Sequence, residues 1–251
     1  MEILNKRHFY HKPFIIFGHR GVPELYPENT LQSFESAIDL KYDAIELDVM
    51  QTKDQKIIVN HDLILQLNNE EREVQKINYK EIKNTFPSIK TLEEILLSIG
   101  HKININIEIK YQNKNSVYVA EKIIKMLKEL DLIDNIILSS FNPWIIKHIK
   151  KIDDRFVTAW IWGKDNFHFF LSWPIVLKYF KANAIHINHR QTTSELIKKI
   201  KSNQMKVLAY TVNNPKILLN LISKNIDGVF TDSPSILKLS RNTNLQNYQP
   251  K

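Results

Sequence analysis

Residues 43–49 read Asp43-Ala44-Ile45-Glu46-Leu47-Asp48-Val49, an apolar run with carboxylates at two alternate positions. In an extended chain successive side chains point to opposite faces, so Glu46 and Asp48 share one face and Ile45, Leu47 and Val49 the other. Such a strand turns its apolar side to covering helices and its acidic side to an enclosed polar space. Asn106-Ile107-Glu108-Ile109-Lys110 repeats the design: Glu108 and Lys110 share a face, and Ile105, Ile107 and Ile109 take the other.

Outward from these two segments, short Ile- and Val-rich runs recur at 13–17, 56–60, 135–140, 156–162, 183–188, 206–212 and 227–232. Between them lie amphipathic, helix-like stretches at 30–40, 91–99, 116–130, 143–152, 174–181, 194–203, 215–224 and 235–239. Several open with helix-starting signals, as in Thr91-Leu92-Glu93-Glu94 and Asn214-Pro215. Strands alternating with helices imply parallel pairing. About eight such units in 251 residues match a closed (β/α)8 TIM barrel. An open doubly wound sheet is the competitor, and the Gly-rich turn it often carries after its first strand is missing. The run at 56–60 follows 43–49 closely enough to read as a hairpin-like excursion. The expectation is one barrel domain over 1–251 with a short insertion after the second barrel strand, at about 62–101, and a frayed tail at about 241–251. Within the insertion, the polar stretch 67–73 shows no strand pattern and a short helix is expected over 79–86.

Composition narrows the classes. Hydrophobic residues are 43% and charged residues 25%, which disfavours disordered, collagen-like and coiled-coil chains. Cysteine is absent, removing disulfides, thiolate metal sites and a cysteine nucleophile, so any metal sits on oxygen or imidazole. The net charge of +8 raises nucleic acid or anionic membrane as partners. The lysines are dispersed, however, and the densest clusters, 147–151 and 198–201, fall at helical spacing, so a solvated lysine face and no nucleic-acid partner are expected. Neither a signal-like segment nor a membrane-length apolar run occurs, and a cytoplasmic protein is expected.

Glu46 and Asp48 brought together in a low-dielectric lumen repel and lose hydration, at a cost of several kcal/mol each if unpaired. A divalent cation answers that requirement with the oxygen ligands that Ca²⁺ and Mg²⁺ prefer; a buried salt bridge to Lys or Arg is the plainer answer. Glu108 can be a third carboxylate and Lys110 a fixed positive charge. His19, in Gly18-His19-Arg20-Gly21, and His61, in Asn60-His61-Asp62, stand at strand ends. Two imidazoles suit one general base and one general acid on opposite sides of a phosphorus or carbonyl centre. With Arg20 and Lys110 to hold phosphoryl oxygens, phosphodiester chemistry fits best. Glu28 and Asn29 precede a helix, where capping and contact with substrate or metal are both open readings. The aromatic stretch from Trp160 and Trp162 through Phe167, Phe169, Phe170 and Trp173 also has two: core packing with a loop cover, and an apolar rim touching an acyl chain or membrane surface.

The order His19-Arg20-Gly21, Pro27-Glu28-Asn29-Thr30, Ile45-Glu46-Leu47-Asp48-Val49, His61-Asp62 and Ile107-Glu108-Ile109-Lys110 resembles the glycerophosphodiester phosphodiesterases. The likeness continues into 139–143, 209–215 and 227–234, nearly the whole chain. The resemblance implies a (β/α)8 barrel that hydrolyses glycerophosphodiesters to sn-glycerol 3-phosphate and an alcohol with one divalent cation, Ca²⁺ or Mg²⁺. It implies Glu46, Asp48 and Glu108 as metal ligands and His19 and His61 as the acid/base pair. Arg20, Glu28, Asn29 and Lys110 would bind phosphate, glycerol or metal-bound water. Tyr210 stands where the family usually has tryptophan, on the wall of the glycerol pocket, and the Arg-Thr-Thr pattern frequent after His-Asp is missing. Two other readings remain: a lysophospholipase D or sphingomyelinase D-like lipid phosphodiesterase, and a barrel that binds phosphodiesters without catalysis.

Overall fold

The computed structural model describes residues 12–163 and 173–242. In chain order the elements are β1 (Ile15–Gly18), α1 (Leu31–Asp39), β2 (Ala44–Gln51), β3 (Ile57–Val59), β4 (Ile64–Leu67), β5 (Glu70–Glu73), α2 (Tyr79–Thr85), α3 (Leu92–Ile99), β6 (Asn104–Ile109) and α4 (Ser116–Glu129). There follow β7 (Ile136–Ser140), α5 (Pro143–Ile152), β8 (Val157–Trp162), α6 (Pro174–Phe180), β9 (Ala184–Asn188), α7 (Ser194–Lys201), β10 (Lys206–Tyr210), α8 (Pro215–Ser223), β11 (Gly228–Thr231) and α9 (Pro234–Asn242).

Strands β1, β2 and β6 to β11 run parallel, and β1 pairs with both β11 (Ile15↔Gly228) and β2 (Phe17↔Ala44), which closes the sheet into an eight-stranded barrel. Alternation divides the side chains as the sequence pattern requires. Ile15, Phe17, Ala44, Ile137, Val157, Ala159, Ala184, Leu208 and Phe230 form the cluster inside the lumen, with the Phe17 and Phe230 rings stacked at 4.5 Å. Ile45, Leu47, Val49, Ile105, Ile107 and Ile109 join the larger cluster beneath the helices, with Phe34, Leu92, Ile123 and Ile145. Each such buried side chain contributes about 2 kcal/mol of apolar transfer energy. A solid core below leaves the carboxyl ends of the strands as the open mouth.

Helix starts carry the expected caps. Thr91 and Glu94 make a reciprocal capping box at α3, and Asn142-Pro143 and Asn214-Pro215 open α5 and α8. The run at 56–60 is an excursion: β3 lies antiparallel on β2 through Val49↔Val59 and is not a barrel strand. Residues 67–73, expected to lack strand structure, instead supply β5, paired antiparallel with β4 through Leu67↔Glu70. Asn68 and Asn69 turn the chain at φ of 50° and 65°, a left-handed pair that Asn tolerates and that matches the twist of a tight hairpin. Only Leu65 and Leu67, on β4, reach the cluster of Met50, Ile58 and Val74. The segment Glu70-Glu71-Arg72-Glu73 is held by its ladder and has no apolar face of its own, which is why its composition hides it. Helix α3, within the span 62–101, packs into the main core as the helix between β2 and β6. No described helix is long and apolar enough to cross a membrane.

Candidate active site

The chain leaves β1 through Gly18-His19-Arg20-Gly21. The His19 N–H donates to the Thr231 carbonyl (2.9 Å), and Arg20 and Gly21, at φ of 55° and 91°, turn the backbone over the mouth. A Cβ on Gly21 would lie 2.3 Å from Ser33 Oγ, so this turn closes only around a glycine. The turn aims the Arg20 N–H at Glu46 Oε2 (2.9 Å).

Register places the carboxylates. Asp48 on β2 pairs with Glu108 on β6, and Glu46 with Asn106, so acids from two strands meet on the inner face. One oxygen from each of Glu46, Asp48 and Glu108 lies within 4.8 Å of the others, and all three side chains are buried. Lys110 Nζ bridges Asp48 (2.7 Å) and Glu108 (2.6 Å). Arg20 Nε lies 3.2 Å from Asp48 Oδ2, while its Nη1 forks onto both oxygens of Glu28 at 2.9 and 3.0 Å.

Glu28 is half-exposed at the rim, whereas Asn29 is buried with φ of 56°. Capping belongs to neither. Thr30 caps α1 by accepting from the Ser33 N–H, and the Asn29 amide serves Asp48 twice, donating to Oδ2 (3.0 Å) and accepting from the Asp48 N–H (3.2 Å).

The two histidines reach the mouth by different routes. Nδ1 of His19 pairs with Asp232 Oδ1 at 2.8 Å, and Asp232 also accepts from Asn213 Nδ2 at 2.6 Å. Strand β3 runs back beside β2, bonds the Asn60 N–H to the Asp48 carbonyl (3.0 Å) and returns His61 to the level of the carboxylates. Nδ1 of His61 pairs with Asp62 Oδ1 at 2.8 Å. With Nδ1 engaged, each ring keeps Nε2 for other work.

A cavity of about 530 Å³ is lined by His19, Arg20, Glu46, His61, Glu108, Lys110 and Tyr210 among the residues singled out from sequence. Asp48, Asn29 and Glu28 are not on its wall; they stand behind or above it. Tyr210 donates its hydroxyl to the Trp162 carbonyl (2.6 Å) and meets Phe141 edge-on at 6.4 Å, so it shapes the wall with its ring. Sequence reasoning missed Asp232, Asn213, His186, His189 and Arg190. Asp232 carried a readable signal, an acid directly after a strand and therefore at the mouth. Of the aromatic stretch, Trp160 and Trp162 are core residues, and Phe167, Phe169 and Phe170 lie outside the described residues.

Charge decides what this arrangement asks for. Burial, reinforced by Asp48 and Glu108, holds the Glu46 carboxyl well above its ordinary range. Burial and Asp48 likewise raise Glu108. Asp48 goes the other way: burial would raise it, but Lys110 and Arg20 overcome burial and keep it below its ordinary value. Burial would lower the Lys110 ammonium, yet Glu108 and Asp48 raise it. Three acids thus face two bases, one of them shared with Glu28, and Glu46 Oε1 is buried without a hydrogen-bond partner. Lys110 and Arg20 realise part of the salt-bridge reading; they leave a carboxylate oxygen and net negative charge unanswered. The donor set, all carboxylate oxygen, fits Ca²⁺ or Mg²⁺.

Acids short of a counter-charge, imidazoles with a free nitrogen and bases within reach of an anion have a common use in cleaving a phosphate ester, and the barrel mouth is where such enzymes keep their chemistry. The molecule is of the barrel phosphodiesterase class. The model of the glycerophosphoryl diester phosphodiesterase family matches residues 19–236. A glycerophosphodiester phosphodiesterase of Caldanaerobacter subterraneus subsp. tengcongensis is 30% identical over 236 residues, covering 89% of this chain and 96% of that one. Among solved structures, a glycerophosphodiester phosphodiesterase from Thermotoga maritima superposes with a TM-score of 0.75 at 26% identity, over 90% of this chain and 97% of that one. A phosphodiesterase of Oleispira antarctica, solved with the product sn-glycerol-3-phosphate, superposes at 0.78 with 23% identity, over 90% and 96% of the two chains. This chain belongs to the glycerophosphoryl diester phosphodiesterase family.

Proposed function

We propose that this protein hydrolyses glycerophosphodiesters to sn-glycerol 3-phosphate and an alcohol, with one divalent cation held by Glu46, Asp48 and Glu108 and with His19 and His61 moving the protons. The observation that carries the reading is the approach of three buried carboxylates to within 4.8 Å of one another beside the cavity that both histidines line. The product bound to the Oleispira antarctica relative supports the choice of glycerol 3-phosphate. When bound, the cation supplies a Lewis acid that neutralises charge on the phosphate.

The chain's own residues do the rest. Arg20 and Lys110 hold phosphoryl oxygens; in Arg20, Nη2 is not used by the contacts to Asp48 and Glu28. Asn29, with its amide committed to Asp48, is a positioning residue. Asp232 keeps the proton of His19 on Nδ1, so Nε2 accepts a proton from the attacking hydroxyl as its oxygen bonds to phosphorus; the attacker is water, or the glycerol 2-hydroxyl with water then opening the cyclic phosphate. The bond from phosphorus to the leaving oxygen breaks, and His61 gives that oxygen its proton. The preplaced bases meet the charge that grows on the phosphoryl oxygens, which is where a rate enhancement is largest.

The test is release of glycerol 3-phosphate from glycerophosphocholine by metal-stripped protein, resupplied separately with Ca²⁺ and Mg²⁺. Restoration by one of them is expected. Full activity without either, or none with both, would end the reading.

A further inference from the structure

Residues 143–152 and 173–183 contain five lysines and no acid. They form the neighbouring outer helices α5 and α6 with the residues that flank α6. The outward side of this pair is apolar as well as basic: Trp144 is 57% exposed, Ile175 74% and Tyr179 49%. A groove of about 520 Å³ separates the helices, lined by Trp144, Lys147, Lys151, Tyr179, Phe180 and Lys181 among others.

The rings are fixed in place. Trp144 meets Tyr179 edge-on at 6.1 Å and Phe180 at 5.5 Å, and Phe180 rests on buried Trp160 at 5.1 Å. Lys147 Nζ lies 3.2 Å from the centre of the Tyr179 ring and 5.6 Å from that of Trp144, which holds a positive charge against the aromatic surface. Lys150 donates to the Asp154 and Phe156 carbonyls, whereas Lys147, Lys151, Lys178 and Lys181 make no ion pair among the described residues. Helix α5 starts just after β7 ends, and α6 ends just before β9 starts. Trp144 and Ile175 therefore stand toward the mouth, with Lys151 and Lys181 toward the closed end. Phe141, three residues before Trp144, lines the cavity itself.

Exposed apolar side chains gathered in one patch mark a contact surface. Four lysines without counter-charge beside them call for an anionic partner. A phospholipid surface answers both demands: rings settle at head-group level, Ile175 enters among acyl chains, and ammonium groups meet phosphates. Nucleic acid would pair with the lysines and leave Ile175 in water. A second copy fits worse, because a two-fold contact on this face sets lysine against lysine. A phospholipid that has lost both acyl chains is a glycerophosphodiester, so a barrel lying on this flank keeps its mouth where such molecules are released.

We propose that the α5–α6 flank docks the protein on a bilayer containing anionic phospholipid, through Trp144, Ile175, Tyr179 and the four lysines around them. The docking does not depend on the hydrolase reading, since it is measured without substrate.

The experiment sediments the full chain with vesicles of phosphatidylcholine alone and with vesicles in which about one lipid in three is phosphatidylglycerol, with Tm recorded for every variant. Wild type should bind the anionic vesicles about tenfold or more tighter than the neutral ones, and lose that binding as salt rises from about 0.1 to about 0.5 M. Lys151→Gln with Lys178→Gln should weaken binding about fivefold per lysine, about 25-fold together. Lys216→Gln with Lys238→Gln removes the same charge from exposed positions on α8 and α9 and should change binding less than about threefold. Ile175→Ser should weaken it about tenfold with Tm unchanged, because the side chain is mostly in water before docking. Turnover of dissolved glycerophosphocholine should be the same in all these proteins. No binding to anionic vesicles overturns the docking, as does equal weakening by the two lysine pairs, which would mean attraction by net charge alone. Capture of a labelled DNA duplex, lost in the Lys151→Gln and Lys178→Gln protein while vesicles capture nothing, would give the face to nucleic acid. Self-association that Ile175→Ser abolishes, again without vesicle binding, would give it to a second copy. Vesicle binding by a protein that hydrolyses no glycerophosphodiester upholds the docking and defeats only the hydrolase reading.

Discussion

Nδ1 of His19 lies 2.8 Å from Oδ1 of Asp232, joining residues 213 positions apart across the seam where the barrel closes. Burial would raise the Asp232 carboxyl, but the hydrogen bond and charge of His19 hold it below its ordinary range, so it stays ionised and fixes the ring. Asp232→Asn keeps the shape and loses the charge that selects the tautomer. Its kcat should fall by about 10²–10⁴. A kcat within threefold of wild type, with glycerophosphocholine as substrate, would remove Asp232 from the mechanism.

His19→Ala and His61→Ala should each lower kcat by about 10²–10⁴. Because the two act in one proton-transfer sequence, the double variant should lose far less than the product of the two single losses. Steady-state rates for all three proteins check this, and near-normal turnover in both single variants refutes the pairing.

In protein stripped of divalent cations, Glu46 and Glu108 sit above their ordinary range because burial and neighbouring carboxylate charge oppose ionisation. The folded state then binds those protons more tightly than the unfolded one. The resulting stability is complete below the ordinary value of 4.5 and is lost as pH rises through the raised values. Stripped protein should therefore melt lower at about pH 8 than at about pH 5, and Glu46→Gln should melt higher than wild type at about pH 7. Adding cation at about 100 times its Kd should return about 2.7 kcal/mol to the wild type and much less to the variant. A stripped Tm that climbs steadily with pH contradicts this account.

Gly21→Ala tests the turn that carries His19 and Arg20. The new Cβ meets Ser33 Oγ at 2.3 Å at a φ of 91°, so either the turn or α1 must shift. A loss of about 2 kcal/mol or more in the urea midpoint is expected, together with reduced kcat. An unchanged midpoint would show that the turn relaxes freely.

Much of this site is legible in the sequence. Glu46 with Asp48, and Glu108 with Lys110, sit on one face of their strands because alternation is a property of the extended chain itself. His19 and His61 were readable as strand-end residues. Asn29 was not resolvable: its place before a helix allows a cap or a contact, and the choice fell to Thr30 only because Asp48 lies within reach of the Asn29 amide. Strand β5 stayed hidden because its partner ladder and the two left-handed asparagines hold it without apolar side chains of its own. His186 was visible as part of an apolar run, yet its lack of a partner depends on Phe230 and on what the facing strands provide.

Sequence alone determined the alternation of strand and helix, the polar face of each strand and the kinds of chemical group at the mouth, since these depend on spacing along one segment. Tertiary structure decided which groups meet: Asp232 with His19, Lys110 between Asp48 and Glu108, and the β9 wall facing the acids. The reason is geometric. Strand register and barrel closure are set by packing of the whole lumen, and no local pattern encodes a distance between residues on different strands.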